Sequence, residues 1–166
     1  MTSNWTVIAA AVALAALLGL DAESAALQSS PRTVWSGVFS AAQAKRGEAI
    51  VSKRCATCHN SDLGGGQDGP ALVGADALRA WSNTTAGDLF DRIRTTMPAD
   101  APQSLSPQET ADIVAFILSQ NKCPAGDNEL PAEIEALKQI QITPGPNPDN
   151  QQSAISNQQL AITISN

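Results

Sequence analysis

Between residues 41 and 142 the apolar positions recur at spacings of three and four, and nowhere in that stretch do they alternate. "AAQAKRGEAIVSKR" (41–54) is expected to be a helix, with Ala42, Ala49, Ile50 and Val51 on one side and its charges on the other. "NSDLGGGQDGPALVGA" (60–75) carries five glycines and a proline and predicts turns rather than regular structure. A short helix is expected over 76–82. Thr85, three residues before Asp88, reads as the cap of another helix that places Leu89, Phe90 and Ile93 on one face. "MPADAPQSL" ends that helix with two prolines. Ser106, Pro107 and Glu109 then form the clearest helix start in the chain, opening a segment (106–121) with a wide apolar face of Ile113, Val114, Phe116, Ile117 and Leu118. A last short helix over 131–139 turns Ile134, Leu137 and Ile140 inward. The fold class that follows is all-α.

The two ends differ from this domain. Residues 7–20 are fourteen uncharged, mostly apolar positions, short of the ~20 of a comfortable membrane span. They have the length of a secretory core, with small residues after it that allow cleavage beyond Ser24, Ala25 or Ala26. No Lys or Arg precedes them, so an uncleaved N-terminal anchor and a buried helix remain open beside a signal peptide. The signal-peptide and anchor readings both export the chain, placing it in the bacterial periplasm, soluble or anchored. The organisation is therefore a signal peptide or anchor (1–26), a connector (27–40), one domain (41–142) and a disordered tail (143–166). Val34, Trp35, Val38 and Phe39 of the connector can tuck against the domain. The tail repeats "NQQSAIS" as "NQQLAIT", too few units for a coiled coil, and its "LAITIS" run carries a risk of β-type self-association.

Composition narrows the function. The formal charge is −6 and the ten Lys and Arg are scattered, which argues against nucleic acid and anionic membrane surfaces as partners. Aromatic residues make up 4% of the chain, with no tyrosine, so a bound cofactor would supply apolar volume that the core lacks.

The chemistry concentrates in "CATCH" (55–59), which holds the only histidine of the chain. Cys-x-x-Cys-His is the attachment signature of c-type haem: both sulfurs reach one edge of the porphyrin, and the adjacent histidine faces the iron. Two other chemistries compete. A thioredoxin-like pair wants a strand before the motif, and here a helix precedes it. A structural zinc site has the right count in Cys55, Cys58, His59 and Cys123, but adjacent Cys58 and His59 would have to share one ion.

If His59 is one axial ligand of a haem iron, a second histidine is impossible within the chain. Apart from Met1, the only methionine is Met97, in "TTMPAD". It is the sole thioether candidate for the opposite face, the competing reading being a core filler. A His/Met pair raises the potential of the iron and fills both positions, which suits electron transfer rather than oxygen binding. An open iron site would instead suit a haem enzyme or a ligand sensor.

The succession "RGEAIVSKRCATCH", "DLGGGQDGPALVG", "WSNTTAGDLFDRIRTTMP", "LSPQETADIVAFILSQN" and "CPAGDNELP" resembles the class I cytochromes c, and is similar to the monohaem domains associated with quinoprotein dehydrogenases. The resemblance implies three to five helices around one covalent haem, and a crossing of the first and last main helices near Gly47 and Phe116. It implies that the Pro70 carbonyl orients His59 and that Trp81 approaches a haem propionate, the competing reading of Trp81 being a packed core tryptophan. Arg92 and Arg94 are further propionate candidates, with exposed helix positions the preferred reading for both. It also implies an electron carrier without bond chemistry on a substrate. Its donor would be a dehydrogenase, its acceptor a second cytochrome or an oxidase. Two positions depart from the pattern: Val51 stands where an aromatic is usual, and the unpaired Cys123 where a large apolar residue is typical. Cys123 is then either buried or a route to a disulfide-linked dimer.

Overall fold

The structure, a computed structural model, describes residues 32–145. The expected signal or anchor segment and the repeat-bearing tail lie outside the described residues. Within them are helices α1 (Ala41–Arg54), α2 (Ala56–His59), α3 (Ala75–Trp81), α4 (Ala86–Thr96), α5 (Pro107–Gln120) and α6 (Ile134–Leu137). Two short strands, β1 (Arg32–Thr33) and β2 (Ile140–Gln141), pair in parallel with Arg32 opposite Ile140. The architecture is all-α. No alternation announced the strands, because two residues are too few to show a period.

The helix starts follow their capping chemistry. Ser40 Oγ accepts from the Gln43 N–H. Thr85 with Asp88, and Ser106 with Glu109, form reciprocal capping boxes. Each satisfies two of the N–H groups that a helix end leaves without partners, and a cap of this kind contributes about 1 kcal/mol.

Helices α1 and α5 make the central crossing. The buried residues of α1 are Gln43, Ala44, Gly47 and Val51. Ala42 and Ala49, expected on the inner face, are exposed, since the buried stripe runs four by four through Gly47. A Cβ at Gly47 would lie 1.9 Å from the Asp112 carbonyl oxygen and 2.9 Å from Phe116 Cβ, so only a residue without a side chain permits this approach. Gln43 is buried although polar: its Nε2 donates to the Leu130 carbonyl at 2.9 Å, and its Oε1 accepts from the Leu130 N–H at 2.6 Å. Beside the crossing, Arg46 holds two carboxylates, the buried Asp112 and the exposed Glu129, and Gln108 also donates to Asp112.

The connector expected over 27–40 is, from residue 32 onward, part of the packed domain. Val34, Val38 and Phe39 are among its most buried side chains. Trp35 Nε1 donates to the Thr143 carbonyl, and the Gly126 N–H donates to the Phe39 carbonyl at 2.7 Å. The tuck expected of Val34, Val38 and Phe39 is therefore complete, while Trp35 stays half-buried. On the other flank Leu89, Phe90 and Ile93 of α4 are buried, with Leu137 and Ile140 buried next along the chain and Ile134 half-buried.

Candidate functional site

Helix α1 ends where the site begins. The Cys55 N–H closes α1 on the Val51 carbonyl at 2.9 Å, and the Cys55 carbonyl then accepts from the His59 N–H at 3.0 Å. Cys55, Cys58 and His59 therefore share a single helical turn, with the two sulfurs three residues apart on neighbouring positions of its surface. Cys55 is half-buried, Cys58 is exposed, and both are free thiols. Burial pushes the Cys55 thiol upward, against a smaller opposing pull from Arg54.

His59 is buried, and its Nδ1 lies 2.7 Å from the Pro70 carbonyl oxygen. A carbonyl only accepts, so Nδ1 carries the proton and Nε2 keeps its lone pair. The loop after α2 enforces that pairing. The Gly65 N–H donates to the His59 carbonyl at 3.1 Å, Gly66 donates to the Gly69 carbonyl at 2.8 Å, and Leu72 donates to the Leu63 carbonyl at 2.8 Å. At Gly69 a Cβ would sit 3.0 Å from both His59 Nδ1 and the Cys58 carbonyl oxygen, so the loop closes directly against the ring.

The far end of this loop is held by a residue that sequence reasoning missed. Asn121, the buried C-cap of α5, accepts from the Gly74 N–H at 2.9 Å and donates to the Leu72 carbonyl at 3.0 Å. An asparagine after a helix reads as a cap, and nothing in the sequence shows a reach of more than forty residues back along the chain.

Met97 caps the C-terminus of α4 through its N–H to the Ile93 carbonyl, with its half-buried side chain packed against the core. Trp81 ends α3, is also half-buried, and its indole N–H finds no acceptor among the described residues. Arg92 and Arg94 are exposed. The structure thus brings His59 and Pro70 into direct contact, while Met97 and Trp81 stand on other elements without a hydrogen bond to that pair.

Cys123 is buried, and desolvation raises its thiol to about 11. It lines a shallow groove of 290 Å³ between α1 and α5 with Phe39, Ala44 and Phe116, a groove that shares no residue with the CATCH turn. Among the described residues no group of three or more His, Cys, Asp or Glu side chains is placed to hold a metal ion, so Cys123 is not gathered with Cys55, Cys58 and His59.

Residues 42–117 match the family model of cytochrome c oxidase, cbb3-type, subunit III. This segment is a class I c-type cytochrome domain, and the match supports a haem-based electron-transfer role. The solved sulfane dehydrogenase SoxCD of Paracoccus pantotrophus aligns with a TM-score of 0.46 at 22% identity, over 81% of this chain and 75% of that one, a likeness too loose to bear on function. No curated protein matches the chain.

A c-type cytochrome domain implies covalently bound haem c, and the residues present fit that group. Two thiols one turn apart stand next to an imidazole whose free nitrogen is Nε2. The segments that follow carry Leu72, Val73, Leu78, Trp81 and Met97, apolar side chains that pack against the core while part of each stays open.

Proposed function

We propose that the protein is an exported, monohaem electron carrier. Cys55 and Cys58 would hold the haem through two thioethers, with Nε2 of His59 and the thioether of Met97 as axial ligands. Bound there, the haem supplies a one-electron Fe(III)/Fe(II) couple. The chain's own residues prepare the site. The Pro70 carbonyl fixes the tautomer of His59 and raises its basicity. Met97, a soft neutral thioether, would be the second protein ligand and would favour the reduced metal. Trp81 would offer its free indole N–H to a propionate, and Leu72 and Val73 keep water from the centre. The observation that carries this reading is the His59–Pro70 hydrogen bond within a Cys-x-x-Cys-His turn.

Export is supported by the apolar stretch at 7–20 and by the attachment motif, whose haem is added outside the cytoplasm in bacteria. The partners would be redox proteins, a dehydrogenase (a quinoprotein among the candidates) as donor and a second cytochrome or an oxidase as acceptor. With a net charge of −6, association with a basic partner patch should slow as salt rises.

Periplasmically expressed protein, read oxidised and reduced, tests the assignment. A haem absorption that survives denaturation establishes covalent attachment, and Cys55→Ala with Cys58→Ala should abolish it. The far-red band expected of iron–methionine ligation should vanish in Met97→Ala. An unchanged spectrum in that variant would remove Met97 from the site and restore the haem enzyme or sensor reading.

A further inference from the structure

Segment 70–74 determines where the His59 acceptor sits, and it has no regular structure of its own. Its backbone is held at three places: the Pro70 carbonyl by His59, the Leu72 N–H by the Leu63 carbonyl, and Leu72–Gly74 by Asn121. The first two partners are buried themselves, but His59 ends the single-turn α2 and Leu63 lies in the mostly exposed, turn-shaped loop that follows it. Asn121 is the only one of the three on a long helix of the core. Its amide is fully used: Oδ1 accepts from Gly74, and Nδ2 donates both to Leu72 and to the Ile117 carbonyl of its own helix at 2.9 Å. Exchanging the two ends of the amide would set N–H against N–H and oxygen against oxygen, so the side chain has one orientation.

A residue that served only as a helix cap would bond within α5 alone. Here two of the three bonds run to a segment forty-seven and forty-nine residues away, and both are part-buried. They tie down the backbone just before α3, which has no side-chain cap and whose N-cap Gly74 has φ of +97°. We propose that Asn121 is a positioning residue of the iron site: it fixes Leu72–Gly74 to α5 and thereby keeps the Pro70 carbonyl on His59 Nδ1. The inference rests on the reading of His59 as an axial ligand. It adds a structural link from the α1–α5 scaffold to the proximal imidazole.

The test uses the haem-loaded protein in its reduced, diamagnetic state and follows hydrogen exchange by NMR in the wild type, Asn121→Leu and Asn121→Asp. Losing two part-buried hydrogen bonds should speed exchange of the His59 Nδ1–H and the Gly74 N–H by about tenfold or more in Asn121→Leu, with α1 and α5 amides unchanged. Asn121→Asp keeps an oxygen for Gly74 and loses the donor to Leu72. It should protect the Gly74 N–H while still releasing His59, and it serves as the measurement if the leucine variant does not fold. The proposal is overturned if His59 Nδ1–H exchange is unmoved in both variants, or rises only as much as the α5 amides do. Failure of the ligand assignment looks different, because the wild-type spectrum would then already lack a His/Met signature whatever Asn121 does.

Discussion

The α1–α5 crossing and the CATCH-to-Met97 side of the molecule solve opposite problems. At the crossing, every demand is met inside the polypeptide. Gly47 admits the backbone of Asp112, Gln43 completes the backbone of Leu130, and Arg46 neutralises a buried carboxylate. On the other side Leu72, Val73, Leu78, Trp81 and Met97 are packed against the core yet remain partly open, and the polar order consists of backbone bonds around one imidazole. One region is held by polar contacts within the polypeptide, and the other keeps a run of apolar side chains partly open. Mutations in the two regions should therefore fail differently, in stability at the crossing and in spectrum at the site.

The largest effect should come from the crossing. Gly47→Val drives a branched side chain into the Asp112 carbonyl, which cannot retreat without unseating α5. A loss of more than about 3 kcal/mol is expected, read as collapse of the urea midpoint by circular dichroism. A soluble variant with the wild-type midpoint would show that the helices can separate, and the contrast between regions would fall. Gln43→Leu comes next. It fills the same volume but leaves the buried N–H and carbonyl of Leu130 without partners, costing about 1–3 kcal/mol for each group that water cannot reach.

These two residues show what the sequence could and could not reveal. The elements were legible because capping boxes and three-to-four spacing are local: Thr85–Asp88 and Ser106–Glu109 mark the starts of α4 and α5, and both boxes form as expected. The inner face of α1 was misjudged because hydrophobicity alone cannot say that Gln43 is buried by its bonds and Ala49 left outside. The CATCH turn and its candidate partner Met97 were readable through their chemistry and scarcity. Asn121 was not, because its meaning lies in a contact made across half the domain. The packing of Val34, Val38 and Phe39 against the domain was foreseen only as a possibility, since nothing periodic signalled how completely they are enclosed.

On the site side the order of effects reverses. Met97→Ala removes a half-buried side chain, so the loss of stability should stay under roughly 2 kcal/mol, while the oxidised spectrum changes completely. Parallel urea and optical titrations on the haem-loaded protein check this. A variant that lost stability like Gln43→Leu and kept its spectrum would place Met97 in the scaffold instead.

The smallest effect should be a pH dependence that arises at the helix starts. The Ser106 N–H and hydroxyl hold the Glu109 carboxyl below its ordinary value, and Thr85 does the same for Asp88. A folded value below the unfolded one means that the stabilisation is fully present above the ordinary carboxylate range. It is lost as pH falls through the folded value. Glu109→Gln should lower Tm at neutral pH by on the order of 3 °C, and the gap from wild type should close in acid as the native carboxyl protonates. A gap that stayed constant from neutral to acidic pH would mean that the charge of Glu109 contributes nothing and that the box works through shape alone. Because the box lies at the start of α5, its loss should lower the stability of the crossing without moving the haem spectrum. A spectral shift in Glu109→Gln would mean that the two regions are coupled along the whole of α5, rather than at its Asn121 end.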